Sequence, residues 1–197
     1  TAILPNAFEQ ANNAAGITTD WIDRIQQNGV IQNHTLSVSG GNKDVKYYLS
    51  GDYLKQKGVI QGYQFQRASI RSNIDAVITD YLNAGINLFF NSNNTDGGRA
   101  SLTAASQLSP YGTFTKADGS YEIFPMFGEL LYTNAMLGLT TQRHERSKNM
   151  NVNAYAELKP GFAKGLKYRA NVGYTYLPTI FRRYEGRPAG NLIGLAQ

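Results

Sequence analysis

At 197 residues the chain is long enough for one domain with a sizeable core, and its 42% hydrophobic content sits slightly below the globular norm. No run approaches the roughly 18 to 20 consecutive apolar residues of a membrane helix, so any membrane span would have to be made by strands, whose alternation is hidden by hydropathy averaging. The formal charge of +5 is carried by scattered Lys and Arg, which argues against a nucleic-acid reader, and the absence of cysteine removes disulfide frameworks and thiolate zinc sites.

In chain order, residues 1–30 are mixed, with a short helix expected over 20–27 because Asp20 and Asp23 suit a helix's first turn. Residues 32–40 then alternate His34, Leu36 and Val38 with Thr35, Ser37 and Ser39, and Gly40-Gly41-Asn42 signals a turn. Residues 45–55 follow with Val45, Tyr47, Leu49, Gly51 and Tyr53 opposed to Lys46, Tyr48, Ser50 and Asp52. A Gly-flanked connection over 56–63 leads to a strand over 64–77, and a turn near Thr79-Asp80 leads to one over 82–94. Strands resume over 147–158 and 166–176, joined across Lys159-Pro160-Gly161, and the end from Leu177 reads as loop.

Successive side chains of a strand point to opposite faces, so these six segments each have a dry and a wet side. Residues 166–176 are the clearest case. There Leu166, Tyr168, Ala170, Val172, Tyr174 and Tyr176 oppose Lys167, Arg169, Asn171, Gly173 and Thr175. Such length, with aromatics near the ends of the dry side, indicates an all-β fold, a portion of an antiparallel transmembrane β-barrel. An eleven-residue strand extends roughly 36 Å, and a tilt of about 45° leaves roughly 25 Å along the membrane normal, enough to span the apolar band.

Between Asn94 and Ser147 the alternation lapses for about fifty residues, and connections that long are usually functional. Helical turns are expected over 100–107 and 134–138, with a hairpin at Lys116-Ala117-Asp118-Gly119-Ser120-Tyr121. Outer-membrane barrels carry their long loops outside, so residues 95–146 are read as external. Counting strand directions back from there makes the strand over 32–40 descend. Residues 1–31 then form an external loop segment, and the chain is expected to be an excerpt that starts in that loop.

Tyr111, Phe114, Tyr121, Phe124 and Phe127 crowd the long loop. Tyr111, Phe114, Tyr121 and Phe124 are the candidate substrate contacts, since exposed aromatics stack on sugar rings or hold apolar peptide side chains. The same residues would equally form the loop's own small core. Catalytic and metal chemistry finds little support. His144-Glu145 lacks the second histidine of a helical zinc motif, and His34 lies on the dry parity. Ser101 and Ser106 lack the glycines of a nucleophile elbow. Asp96-Gly97-Gly98 and Asp118-Gly119 lack the alternating ligands of a calcium loop and read as turns, while 161–165 lacks the lysine of a phosphate loop. No enzyme, no cofactor and no metal is expected. Arg143, Arg146, Lys148 and Arg182, Arg183, Arg187 form loose basic clusters in loop-like sequence.

Thr19-Asp20-Trp21-Ile22-Asp23-Arg24-Ile25 followed by Gln32-Asn33-His34-Thr35-Leu36-Ser37-Val38-Ser39-Gly40-Gly41 resembles the SusC/RagA family of TonB-dependent outer-membrane transporters. The likeness continues through Lys46-Tyr47-Tyr48-Leu49-Ser50-Gly51, Gln56-Lys57-Gly58-Val59-Ile60, Arg67-Ala68-Ser69-Ile70-Arg71-Ser72-Asn73 and Gly165-Leu166-Lys167-Tyr168-Arg169. The resemblance implies a plugged barrel of about 22 strands, of which the plug domain and the remaining strands are absent from this sequence. It further implies energy from a TonB complex, a SusD-like surface lipoprotein partner, oligosaccharide or peptide import, and the outer membrane (lipid and LPS) of a Bacteroidetes-like Gram-negative cell. The strand pattern alone would also serve a structural or adhesive outer-membrane barrel, or a soluble β-sandwich with the dry parity as its core.

Overall fold

The computed structural model describes residues 6–163 and 165–186. Two helices, α1 (Ala7–Ala14) and α2 (Trp21–Ile25), precede the strands β1 (Val30–Gly41), β2 (Val45–Lys57), β3 (Gln64–Thr79) and β4 (Leu82–Asn94). Helix α3 (Leu102–Gln107) and a 3₁₀ turn (Leu137–Thr140) lie in the long connection, and β5 (Gln142–Leu158), β6 (Tyr168–Tyr176) and β7 (Thr179–Tyr184) complete the chain. All strands belong to one antiparallel sheet in the order β1-β2-β3-β4-β5-β6, with β7 also paired to β5.

β6 and β7 are one strand in two pieces. Met150 pairs with Tyr176 and Ser147 with Thr179, so two residues lie between the pairs on each side and the register is unbroken. Pro178 has no N–H to give the ladder, yet its carbonyl still accepts from the Lys148 amide at 2.9 Å. Geometrically the sheet has six strands, as the alternation predicted. The loop expected from Leu177 is corrected to strand as far as Tyr184, and the long connection is shortened because β5 begins at Gln142. Arg143, Arg146, Lys148, Arg182 and Arg183 therefore stand on strands, while Arg187 lies outside the described residues.

The predicted faces hold throughout. Cross-strand partners share a face, and Asn151 pairs with Thr175, Asn153 with Gly173, Tyr155 with Asn171 and Glu157 with Arg169. On the other side Val152 pairs with Tyr174, Ala154 with Val172 and Leu158 with Tyr168. The sorting runs back through Ile86 with Ala154, Ile74 with Ile86 and Tyr47 with Ile74. On the polar face the side chains satisfy one another: Thr35 Oγ1 donates to Asp52 at 2.8 Å, the Tyr155 hydroxyl to Asp75 at 2.6 Å and Thr175 Oγ1 to Asn151 at 2.8 Å.

Among the described residues nothing covers the apolar face. Leu36 is 80% exposed and Val172 70%, and no strand residue belongs to the buried apolar core. That core is at one end of the sheet, where α1, α2, α3 and the long connection form a cap around Trp21, Ile25, Ala105, Leu108, Met126 and Met136. α2 is capped by Asp20, whose carboxylate accepts from the Asp23 amide, and α3 by Ser101. α1 was not expected; its start carries Asn6 accepting from the Glu9 amide at 2.8 Å.

The sorting of faces makes a quantitative prediction for the whole barrel. Val172→Arg near the bilayer midplane costs about 2 to 4 kcal/mol, whereas Asn171→Arg on the opposite face costs much less. Refolding titrations of the full-length protein into bilayers measure both, and equal costs would refute the assignment.

Candidate functional site

The cap is built on the strand ends opposite the short β1–β2 and β3–β4 turns, and three chain segments converge there. The β2–β3 connection supplies Gln61, whose amide donates to the Ile25 carbonyl at 2.8 Å and whose carbonyl accepts from the Ala100 amide at 3.0 Å. The two ends of the long connection meet where the Arg99 amide donates to the Gly138 carbonyl at 3.1 Å. Side chains cannot enter this junction. A Cβ on Gly98 would come within 2.7 Å of the Leu139 and Thr141 carbonyl oxygens, and one on Gly138 would fall on the Arg99 carbonyl. Gly62, with φ near +81°, lies against the same place.

Below the junction an ionic latch continues the β4–β5 ladder. The Thr95 amide donates to the Glu145 carbonyl at 2.9 Å and the Gly97 amide to the Arg143 carbonyl at 2.8 Å. Asp96 accepts from Arg146 Nε at 2.9 Å and Nη2 at 2.6 Å, and from the Glu145 amide at 2.8 Å. Such a fork-on-carboxylate contact fixes geometry as well as charge. Burial alone would raise the Asp96 carboxyl, but the hydrogen bonds from Arg146, the Glu145 amide and His144 outweigh it and hold it below the ordinary carboxylate value. Glu145 accepts from Arg143 Nη2 at 2.6 Å and from Arg99 Nη2 at 3.3 Å.

The four candidate contacts are divided by the fold. Phe114 lies within the cap, its ring tilted 5.8 Å from Trp21 and 5.7 Å edge-on to Tyr121, with the Arg24 guanidinium 4.9 Å from its centroid. Trp21 is itself fixed by its indole N–H donating to the Ser109 carbonyl at 2.8 Å. Tyr111 is half-buried, and its carbonyl accepts from the Asn12 side chain at 2.7 Å, which ties α1 to the loop. Phe124 and Tyr121 are half-buried too, Tyr121 packing against the core, but each also lines a cleft. Phe124 lines a cleft of about 540 Å³ with Phe8, Thr113, Glu122, Phe127 and Leu130. Tyr121 lines a second, of about 520 Å³, with Lys116, Ser120, Ile123, Leu137 and Thr140. Sequence reading missed Phe8, whose helix is announced only by Asn6 with Glu9 three residues later, a start signal of the capping kind.

The turns read from Asp118-Gly119 are as expected: Asp118 accepts from the Ser120 amide at 2.9 Å, and Gly119 has φ near +82°. Asp96 is different. The turn expected at residues 96–98 is corrected to a bend at Gly97 that still follows the ladder, and the Asp96 carboxylate serves as the anchor of the latch. Among the described residues no group of three or more His, Cys, Asp or Glu could hold a metal ion.

No family model matches the chain. TonB-dependent receptor P3 of Formosa agariphila is 30% identical over 178 residues, 85% of this chain and 18% of that protein. TonB-dependent receptor SusC of Bacteroides thetaiotaomicron is 25% identical over 164 residues, 80% of this chain and 16% of that one. Among solved structures, the RagAB peptide importer in its closed-closed state superposes with a TM-score of 0.65 at 25% identity, covering 82% of this chain and 19% of its own. The chain thus spans less than a fifth of the length of these relatives.

Two predictions follow from the latch and the junction. Gly138→Ala is expected to open the junction, so that a protease cuts within residues 99–141 of the full-length protein while the barrel keeps its heat resistance. An uncut loop would refute the close-approach argument. Because the Asp96 carboxyl is depressed in the fold, its contribution is fully present above the ordinary value of about 3.9 and is lost as pH falls through the lower folded value. Hydrogen exchange at Gly97 and Glu145 should therefore quicken as pH falls below about 4, after correction for intrinsic rates. Asp96→Asn should show the faster exchange at every pH.

Proposed function

Because this chain is a SusC/RagA-like segment of a TonB-dependent receptor barrel, we propose that it forms part of the wall and outer cap of an outer-membrane nutrient importer. The observation that carries the reading is the division of the molecule. Its sheet leaves one continuous apolar face uncovered, and its only buried apolar cluster among the described residues lies in a cap at one end. An uncovered apolar face of this extent has no place in water, whereas a bilayer satisfies it. The paired strands satisfy one another's backbone groups, as a lipid-exposed wall requires.

On this reading residues 95–141, with 6–29, are extracellular, and the apolar parity faces lipid in the outer membrane of a Bacteroidetes-like cell. The solute is an oligosaccharide or a peptide, its capture involves a SusD-like surface lipoprotein, and a plug and TonB-contacting segment in the rest of the protein supply the energised release. Phe124 and Tyr121 are the aromatic groups placed to touch the solute or the lipoprotein, and Phe114 and Tyr111 hold the surface that presents them. SusC/RagA likeness and the name of the peptide importer support import. No covalent chemistry is required of the cap. A structural or adhesive barrel remains the alternative, favoured only by the strand pattern itself.

Replacing residues 115–133 with a short Gly/Ser linker in the full-length protein provides the test. The heat-resistant barrel should persist in the outer membrane, and growth on the imported nutrient or capture of the lipoprotein should be lost. Normal import by the shortened protein would make the loop a mere solvent-facing cover. Resistance of the loop to a protease confined outside intact cells that lack the lipoprotein would invert the topology.

A further inference from the structure

Charges on the strands are sorted by face and by height together. The strand carboxylates Asp52, Asp75, Glu145 and Glu157 all lie on the polar parity. On the apolar parity stand Lys55, Lys57, Arg146, Lys148 and Arg182, every one of them beyond the row of Tyr53, Phe90 and Tyr176, on the cap side. At the opposite, short-turn end the same parity offers Val45, Leu82, Leu158 and Tyr168 and no charge. Stability of the sheet does not require this asymmetry, since an aromatic row with polar neighbours would end the apolar band equally well at both ends.

The charges are densest on β5 and β7. His144 is directly opposite Arg182, Arg146 is opposite Ile180, and Lys148 is opposite Pro178. His144 to Lys148 spans about 13 Å along the strand. Among the described residues Asp96 is the one carboxylate on this face here, and Arg146 takes it through two hydrogen bonds with His144 beside it at 3.3 Å. Lys148 and Arg182 have no carboxylate partner among the described residues. Tyr176 and Ile180, both about half exposed, continue the apolar band directly beside them.

We propose that this surface, with Lys148 at its membrane-side end and Arg182 at its cap-side end, binds the phosphate-bearing headgroup of an acylated lipid of the outer leaflet, whose chains lie against Tyr176, Val172 and Tyr174. A guanidinium suits phosphate bidentately and an ammonium serves as a point charge, while the apolar strip beneath is what a free anion would not need. The proposal rests on the barrel reading, which sets the apolar parity against lipid and the cap outside.

The test uses the full-length protein purified in a neutral detergent, titrated with bis-phosphorylated lipid A, with its dephosphorylated form and with inorganic phosphate. Binding is read by native mass spectrometry and by the shift of the unfolding midpoint. Lys148→Gln with Arg182→Gln should bind the phosphorylated lipid roughly tenfold or more weakly, since each basic residue near a charged lipid surface contributes about a factor of five. Arg183→Gln, on the polar parity, should bind as the unaltered protein does.

Equal binding of the dephosphorylated lipid would overturn the proposal, as would unchanged affinity of the double variant. Displacement of the lipid by millimolar inorganic phosphate would reduce the surface to a simple anion site and also overturn it. Heat-modifiable migration on gels is followed in parallel. Its loss in the unaltered protein would refute the barrel reading itself, whereas an intact barrel that ignores the phosphorylated lipid refutes only this inference.

Discussion

The ladder's register is the constraint on which everything else depends. Strand side chains have a period of two, so a slip by one residue between any neighbours would turn every side chain beyond it to the wrong face. From β1 to β7 no such slip occurs except the local irregularity between Val77 and Thr79, next to the β3–β4 turn. At that end of the strand the irregularity costs no face assignment higher up. The faces specify the register in turn, because Val38 against Leu49 and Ile74 against Ile86 are favourable only when both members share the apolar side.

The same rule explains how much could be read without coordinates. β4 is predicted to the residue, and β2 and β3 to within two, because their alternation runs through the height at which the two faces differ. Above that height both faces are wet. Gln142 to Arg146 on β5, and Thr179 to Tyr184 on β7, are strand by hydrogen bonding yet carry charge on both parities, so the pattern has nothing to report. Pro178 interrupts the ladder between β6 and β7: its carbonyl accepts from the Lys148 amide, so its missing N–H falls on the same β5 side and one ladder bond is lost there.

The cap was legible only in outline. The short helix α2 was visible from Asp20 and Asp23, and α3 as a helical stretch over 100–107, whereas α1 is short and weakly apolar and was not expected, its Asn6 cap being its one local start signal. Crowding of aromatics in the loop was plain, but their division into Phe114 inside and Phe124 at a cleft has no periodic signal, because the loop has no repeating geometry to impose one. The glycine junction was invisible for a related reason. Gly98 and Gly138 are forty residues apart in sequence, and their meaning lies in the backbone that each lets approach.

Ladder and cap depend on their surroundings in different ways. The ladder is incomplete by itself: among the described residues β1 has a partner only in β2, and β6 with β7 only in β5, so the row of backbone groups on each outer side requires further strands before it can stand in lipid. The cap closes on itself. Its core draws on α2, α3 and the loop, its hydrogen bonds bridge the β2–β3 connection to both ends of the long loop, and it touches the sheet only at the strand ends. Loop-closure entropy grows slowly with length, so a long connection drawn between adjacent strand ends costs little more than a short one, and its ordering is determined by its own core. The loop is therefore free to vary in sequence and shape while the ladder beneath it holds the register that the membrane demands.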